Sequence, residues 1–350
     1  MIRTKSTRTL ALAGFVPAGK LGHSYRSVLL VLAALCLTTA AWSQTAIGFR
    51  GSRIPPNVFR GSQPATPSAA TPASGQYRFV SFNIPGSTSA YPFGIDIARV
   101  VTGFYLDAGN VSHGFAWRNG TLHTLDNPGS SDTALQSVNN GLGAIGYYGD
   151  NTASHAAIYS FANGAWTTLP DIPNMPNNLG WGINRSGAAV GYAGGGNNGF
   201  GYNPTNPAAW VWDPSSQSYS FFAVPGAPQY STYADGINNK GQIMGNYFDT
   251  NGVAHGFLKE GESYTTIDVP GATSTFAYSI NNSATIAGLW FNLSGWAEGF
   301  VRTSDGVFTV VDFPGSLETS LGGVNDRGDI CGQWVDPKTG FWTAFVAFKQ

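Results

Sequence analysis

Three histidines stand at matching places in His113-Gly114-Phe115, His155-Ala156-Ala157 and His255-Gly256-Phe257, and acids recur nearby as Asp107, Asp150, Asp249 and Asp336. Imidazole beside carboxylate is the raw material of metal centres, proton relays and nucleophile activation. Those chemistries need the side chains within a few ångströms of one another. Here each histidine occupies the same place in a different copy of a repeating unit, so the fold holds them apart. The acids sit where Asp-Gly and Asp-Pro turn chemistry explains them. A calcium loop would need several converging oxygen ligands, and no Asp-x-Asp-x-Asp run occurs. Thr303-Ser304-Asp305-Gly306 resembles a sialidase Asp-box but lacks the residue between Asp and Gly. With no Ser-His-Asp set, phosphate loop or Cys-x-x-Cys, the sequence predicts no catalytic residue, metal ligand or cofactor.

The unit itself is visible as a phrase, GINNKGQIMGNYFD at 236–249, which returns as GINRSGAAVGYA, SINNSATIAGLW and GVNDRGDICGQW. Aligned on its asparagine, six copies appear at Asp96, Asn139, Asn184, Asn238, Asn281 and Asn325, at intervals of 43, 45, 54, 43 and 44. A glycine follows seven residues later in each: Gly103, Gly146, Gly191, Gly245, Gly288 and Gly332. Two residues further stands Tyr105, Tyr148, Tyr247, Trp290 or Trp334, while the third copy departs with Tyr192 directly after its glycine. Asn-x-x-Gly suits a tight hairpin, in which the asparagine side chain bonds the turn and the glycine accepts positive φ. The first and fifth copies carry Arg99 and Ala284 in place of that glycine, which predicts different turns there. The glycine at plus seven falls mid-strand, where a missing side chain admits a neighbouring backbone or ring.

Alternating apolar runs around Asn-Gly, Gly-Glu and Asp-Gly give a second hairpin per copy, ended by proline as in Pro128-Gly129 and Pro270-Gly271. Four antiparallel strands in about 44 residues describe a β-propeller blade. A β-helix, whose coils are parallel, needs no two hairpins per repeat. The first strand, YRFVSFNIPG from Tyr77, lacks the other three of its blade, and the last, FWTAFVAFKQ, lacks a fourth. Together they complete one blade. The expectation is an all-β, six-bladed propeller over 78–350, closed by antiparallel pairing of 78–84 with about 342–349.

The His-Gly-Phe and His-Ala-Ala triplets, with Gly299-Phe300, Ala344-Phe345 and the recurring Asn and Gly, resemble the bacterial probable extracellular repeat family called HAF. The resemblance spans 78–350. The third copy reads Ala208-Ala209-Trp210, and the fifth and sixth lack the histidine. Membership implies an exported repeat protein and no established reaction.

Composition agrees with many short strands joined by turns: Gly 46, Pro 20, 13% aromatic and 11% charged residues. Residues 1–43 carry five basic residues and no acid, then the apolar Val28–Leu37 run and small residues at Ala41 and Ser43, which predicts a secretory signal cut after Ser43. Ten strongly apolar residues are too few to span a bilayer, so no stable membrane insertion is expected after cleavage. Residues 44–77, ending in a Pro/Ala/Ser/Thr tract, read as a flexible spacer. Without the signal the chain holds 13 basic and 19 acidic residues, which argues against nucleic acid. Cys331 alone survives cleavage and reads as a buried filler.

Function should sit on the face where the joins between blades and the turns between second and third strands emerge. Tyr91, Trp181, Tyr233 and Tyr278 stand near those joins, with Asp235 beside them. The long third interval adds the glycine/asparagine insertion 193–207 with Phe200 and Tyr202. These seven residues are the expected ligand-binding set. Aromatic, amide and hydroxyl groups with few charges suit a polysaccharide or an extracellular protein. The rival readings are a glycosidase or polysaccharide lyase, for which Asp235 and Glu318 are the nearest acids, and a structural surface or matrix component. The expected location is secreted, extracellular or periplasmic.

Overall fold

The computed structural model describes residues 71–72, 75–140, 143–150, 152–194 and 209–350. The signal, most of the spacer, and residues 195–207 of the insertion, with Phe200 and Tyr202, lie outside the described residues. What is described is all β: six four-stranded antiparallel sheets arranged as a six-bladed propeller. The first strands of blades one to six are Ser89–Ile95, Asp132–Val138, Asn177–Ile183, Thr232–Ile237, Ser274–Ile280 and Thr319–Val324. Blade six is completed from the other end of the chain. Tyr77–Phe82 runs antiparallel to Trp342–Lys349, from Tyr77 opposite Lys349 to Phe82 opposite Ala344. The ring therefore closes as expected. Thr71–Pro72 pairs in parallel with Phe308–Val310 and lengthens blade five at its outer edge.

The joins between blades share one device. In Pro85-Gly86, Pro128-Gly129, Pro225-Gly226, Pro270-Gly271 and Pro314-Gly315 the glycine has φ between 78° and 84°. The residue after it donates its N–H back to the residue before the proline, as Ser130 does to Asn127 at 3.1 Å. Proline presets the first corner of this type II turn and glycine the second. A threonine at the head of the next blade then bonds the same turn: Thr133 Oγ1 accepts from Asn127 N, Thr275 Oγ1 from Val269 N and Thr319 Oγ1 from Phe313 N, each at 3.0 Å.

The recurring asparagine does two jobs. Its Oδ1 accepts backbone N–H groups within its own turn, for example Ser186 and Ala188 to Asn184, both at 3.1 Å. Its Nδ2 donates to the backbone carbonyl of the matching residue in the next blade. Asn139 bonds Asn184 O, Asn184 bonds Asn238 O, Asn238 bonds Asn281 O, Asn281 bonds Asn325 O and Asn325 bonds Asp96 O, at 2.9 to 3.2 Å. This is why the chain repeats the phrase. Each asparagine copy staples its blade to the next on the face opposite the joins. The circle has one gap, because Asp96 keeps the turn bond from Val100 N (2.8 Å) but has no amide N–H to give Asn139. Burial raises the Asp96 carboxyl above its ordinary pKa, against turn hydrogen bonds that lower it. Asp96→Asn should complete the circle and remove a buried acid, stabilising the domain by about 0.5–1.5 kcal/mol, the usual net value of one hydrogen bond. A denaturation midpoint equal to or below the parent's would show that the gap costs nothing.

The expected difference in the first and fifth turns does not occur. Arg99 (φ 64°) and Ala284 (φ 57°) take the positive φ that Gly187, Gly241 and Gly328 supply elsewhere, and close the same hydrogen bond. The closing bonds impose the shape, and these two side chains accept an unfavourable backbone region.

Every first strand also carries one bulge, opposite the glycine at plus seven. The pairing skips Phe93, Gln136, Trp181, Asp235, Tyr278 and Gly322 in blades one to six. The bulge brings a carbonyl of the first strand onto the second, 1.9 to 2.1 Å from where a β-carbon on the glycine would lie. The neighbouring backbone that the missing side chain admits is thus that of the same blade. The phenylalanine of the triplet then covers the glycine, with Phe115, Phe257 and Phe300 all buried on third strands. In blade one, a β-carbon on the triplet's middle residue, Gly114, would lie 2.6 Å from Leu125 O, just past the fourth strand.

Candidate functional site

The bulge positions show where the predicted rings go. Phe93 lies 5.7 Å from Trp181 and 6.0 Å from Tyr278, although the three belong to alternate blades. Such contacts are made only across the axis. The circuit continues through Trp181–Tyr192 (5.7 Å), Tyr192–Tyr233 (5.0 Å), Tyr233–Phe248 (5.8 Å) and Phe248–Phe276 (6.2 Å), and returns through Tyr278. Tyr91 joins by stacking on Phe104 at 4.9 Å. Of the expected set, Tyr91, Trp181, Tyr233 and Tyr278 thus share one aromatic cluster around the axis. Tyr91 and Trp181 are each 3% exposed and Tyr278 7%, so their rings face one another more than solvent, with Tyr233 partly buried.

Asp235 stands in the same layer, on a strand and not in a loop, and is 2% exposed. Asn246 Nδ2 donates to its Oδ2 at 2.7 Å, while the same amide exchanges two 2.8 Å bonds with the Ala277 peptide of blade five. Burial lifts the Asp235 carboxyl to about 8, and the Asn246 bond lowers it only in part. Burial, then the nearby Asp235 charge, also raises the Tyr278 phenol. Glu318 is two blades away, just before the first strand of blade six.

The histidines lie on third strands, Ser112–Arg118, Ser154–Ser160 and Ala254–Glu260, away from the axis. Each is held in an identical setting. The aromatic at plus nine packs on it: Tyr105 stacked on His113 (5.1 Å), Tyr148 tilted against His155 (5.2 Å) and Tyr247 stacked on His255 (5.1 Å). Nδ1 faces an aspartate beyond the fourth strand, Asp126 at 2.8 Å, Asp171 at 2.9 Å or Asp268 at 3.0 Å. Nε2 faces the turn aspartate, 3.6 Å from Asp107, 3.1 Å from Asp150 and 3.9 Å from Asp249. Burial pulls the His113 and His155 pKa values down, but the hydrogen bonds and charges of both carboxylates outweigh it and hold them above the usual value. With both nitrogens engaged, the imidazole acts as a cross-brace between turn and join. In blade five Glu298 replaces the histidine and Asn292 the turn aspartate, whose Nδ2 donates to Glu298 at 2.7 Å.

Sequence reasoning missed the aspartates at the joins. A signal was present, since Asp126 and Asp268 each follow their histidine by thirteen residues. Beside the first of these braces, between blades one and two, opens a cleft of about 240 Å³. His113, Asp126, Asp132, Ser131 and the Pro128-Gly129 turn line it. No group of three or more His, Cys, Asp or Glu able to hold a metal ion occurs among the described residues. Nor does any described helix reach the length and apolarity needed to cross a membrane.

No protein-family model and no curated protein matches the chain. Solved structures similar to it include AofleA from Arthrobotrys oligospora, at 15% identity and TM-score 0.48 over 80% of this chain and 90% of that one. The SapL1 lectin in complex with alpha methyl fucoside is 12% identical, with TM-score 0.48 over 75% of this chain and 94% of that one. XC5397, a gluconolactonase from Xanthomonas campestris, is 13% identical, with TM-score 0.47 over 83% and 99%. At such identities no residue role passes from these proteins to this chain.

Proposed function

We propose that this chain is an exported repeat protein of the HAF type that binds a saccharide, without transforming it, on the face where joins and second-to-third turns meet. One observation carries the reading. On that face a rigid ring holds polar side chains in fixed orientation outside the axis, with a cleft beside one such set. Carboxylate, imidazole and hydroxyl groups held by turn hydrogen bonds are preorganised to meet sugar hydroxyls, so little ordering cost remains for binding. The basic, apolar and small-residue sequence of 1–43 supports export, and the triplets with the recurring Asn and Gly support the family. Binding of the purified chain to a glycan array tests the reading. Selective retention of one saccharide class, released unchanged, is the expected result. An array with no bound saccharide would overturn it.

A further inference from the structure

The cleft between blades one and two places an aspartate at a position that varies from blade to blade. At the head of a blade's first strand the other blades carry Ser89, Asn177, Ser231, Ser274 and Glu318, and blade two carries Asp132. Where the role of this position is plain, it ties neighbouring blades together. Asn177 Oδ1 accepts from Ser154 N at 3.2 Å, and Ser274 Oγ accepts from Ala254 N at 3.3 Å, each reaching the third strand of the blade before. Asp132 makes no such bond. Its Oδ2 accepts from the adjacent Ser131 Oγ at 3.1 Å, and its Oδ1 accepts from no group. Among the described residues no lysine, arginine or histidine forms an ion pair with it. Burial raises its pKa, as expected of a carboxylate without a counter-charge.

The surroundings repeat this imbalance. Asp126, the second carboxylate of the cleft, is already matched by His113 Nδ1 and by Gly114 N at 3.1 Å. Around the same face the turns and joins carry Asp107, Asp150, Asp171, Asp249, Asp268 and Asp336, against Lys338 among the turns. A uronic acid or sulfated sugar would meet this field unfavourably, whereas a cation would be drawn in.

We propose that the blade one–two cleft takes one sugar ring bearing a free amine, its ammonium group set against Asp132. The inference rests on the saccharide reading above and deepens it. The cleft of about 240 Å³ is smaller than the roughly 300–1,000 Å³ of sites for drug-sized ligands, which suits a single ring. Pro128 and Val111 offer apolar surface to the ring's C–H face, and Ser131 a hydroxyl beside the charge. A small turn of the Asp132 side chain presents Oδ1 to the ammonium, which supplies both the missing donor and the missing charge.

The test is titration of the full chain and of Asp132→Asn with glucosamine oligomers, their N-acetylated counterparts and uronate oligomers. The parent should bind the free-amine oligomer at least tenfold more tightly than the N-acetylated one, and more weakly as salt rises. Uronate should not bind. Asp132→Asn should fold normally and lose the preference. Equal affinity for free-amine and N-acetylated oligomers, or a preference unchanged in Asp132→Asn, would overturn the assignment while leaving saccharide binding intact. Absence of binding to any saccharide would remove both readings. Equal affinity for a simple polyamine would overturn the sugar part.

Discussion

Gly146→Ala should unfold far more readily than its one added methyl group would cost on a surface. The new β-carbon would lie 1.9 Å from Ala134 O and 2.8 Å from the α-carbon of Leu135. These are backbone atoms and cannot rotate aside. They are held there by the bulge at Gln136, and moving them means losing the pairing of Asp132–Val138 with Gly143–Gly149. Overpacking in cores costs about 1–3 kcal/mol and occasionally more, and a clash with paired backbone belongs at the top of that range. Gly86→Ala is the comparison. Nothing lies within 4 Å of its added methyl, so only the strain of φ +81° remains, and a loss of about 1–2 kcal/mol is expected. Denaturant midpoints of the two variants separate the effects. If Gly146→Ala fell by no more than Gly86→Ala, the bulge would not be the reason for the glycine.

The second large effect is with pH. In the folded chain the Asp235 carboxyl is raised to about 8 and that of Asp312 to about 6, both chiefly by burial. Asp96 and Asp132 are raised for the same reason, and His113 and His155 by their carboxylate partners. A group whose folded pKa is raised holds a proton that the unfolded chain releases, so stability falls as pH climbs through that window. The carboxyls act from 3.8 to about 6 and about 8, and the histidines above 6.5. Asp107 and Asp249 are lowered by turn hydrogen bonds despite desolvation, and Asp150 chiefly by its bond from Thr152, so the stability these add is lost as pH falls below 3.8. The domain should therefore be most stable near pH 4 to 5 and weaken toward pH 8, Asp235 alone contributing up to about 1.4 kcal/mol per pH unit. Asp235→Asn keeps an acceptor for Asn246 and removes the titration. It should match the parent at pH 4 and melt well above it at pH 8. A parent melting temperature that is level from pH 4 to 8 would contradict this.

The architecture was readable because its signals are local. Asn-x-x-Gly, Asn119-Gly120 and Pro-Gly each specify a turn within four residues, and the unmatched end strands showed how the ring closes. The site was less readable because its geometry depends on neighbours. Alternation along a strand does not reveal that a bulge turns Trp181 and Tyr278 toward the axis. A ring near a join therefore reads as a surface ring until the bulge is seen. The second role of Asn184 or Asn281 depends on the adjoining blade, and one copy of the phrase cannot show it. Asp126 follows the fourth strand of blade one and Asp132 opens the first strand of blade two, and their meeting in a cleft requires two blades side by side.

Asp96 carries one further consequence. The blades hand hydrogen bonds round the ring in one direction, and the series stops between blades one and two. The chain's own ends, by contrast, are sewn into blade six through a full pairing of Tyr77–Phe82 with Trp342–Lys349. The seam of this ring is therefore not where the polypeptide begins and finishes. It lies at the one interface with a missing staple on one face and an open cleft on the other, so breathing motions should start there. A molecule lodged in that cleft would act as the missing staple and tighten the whole circle.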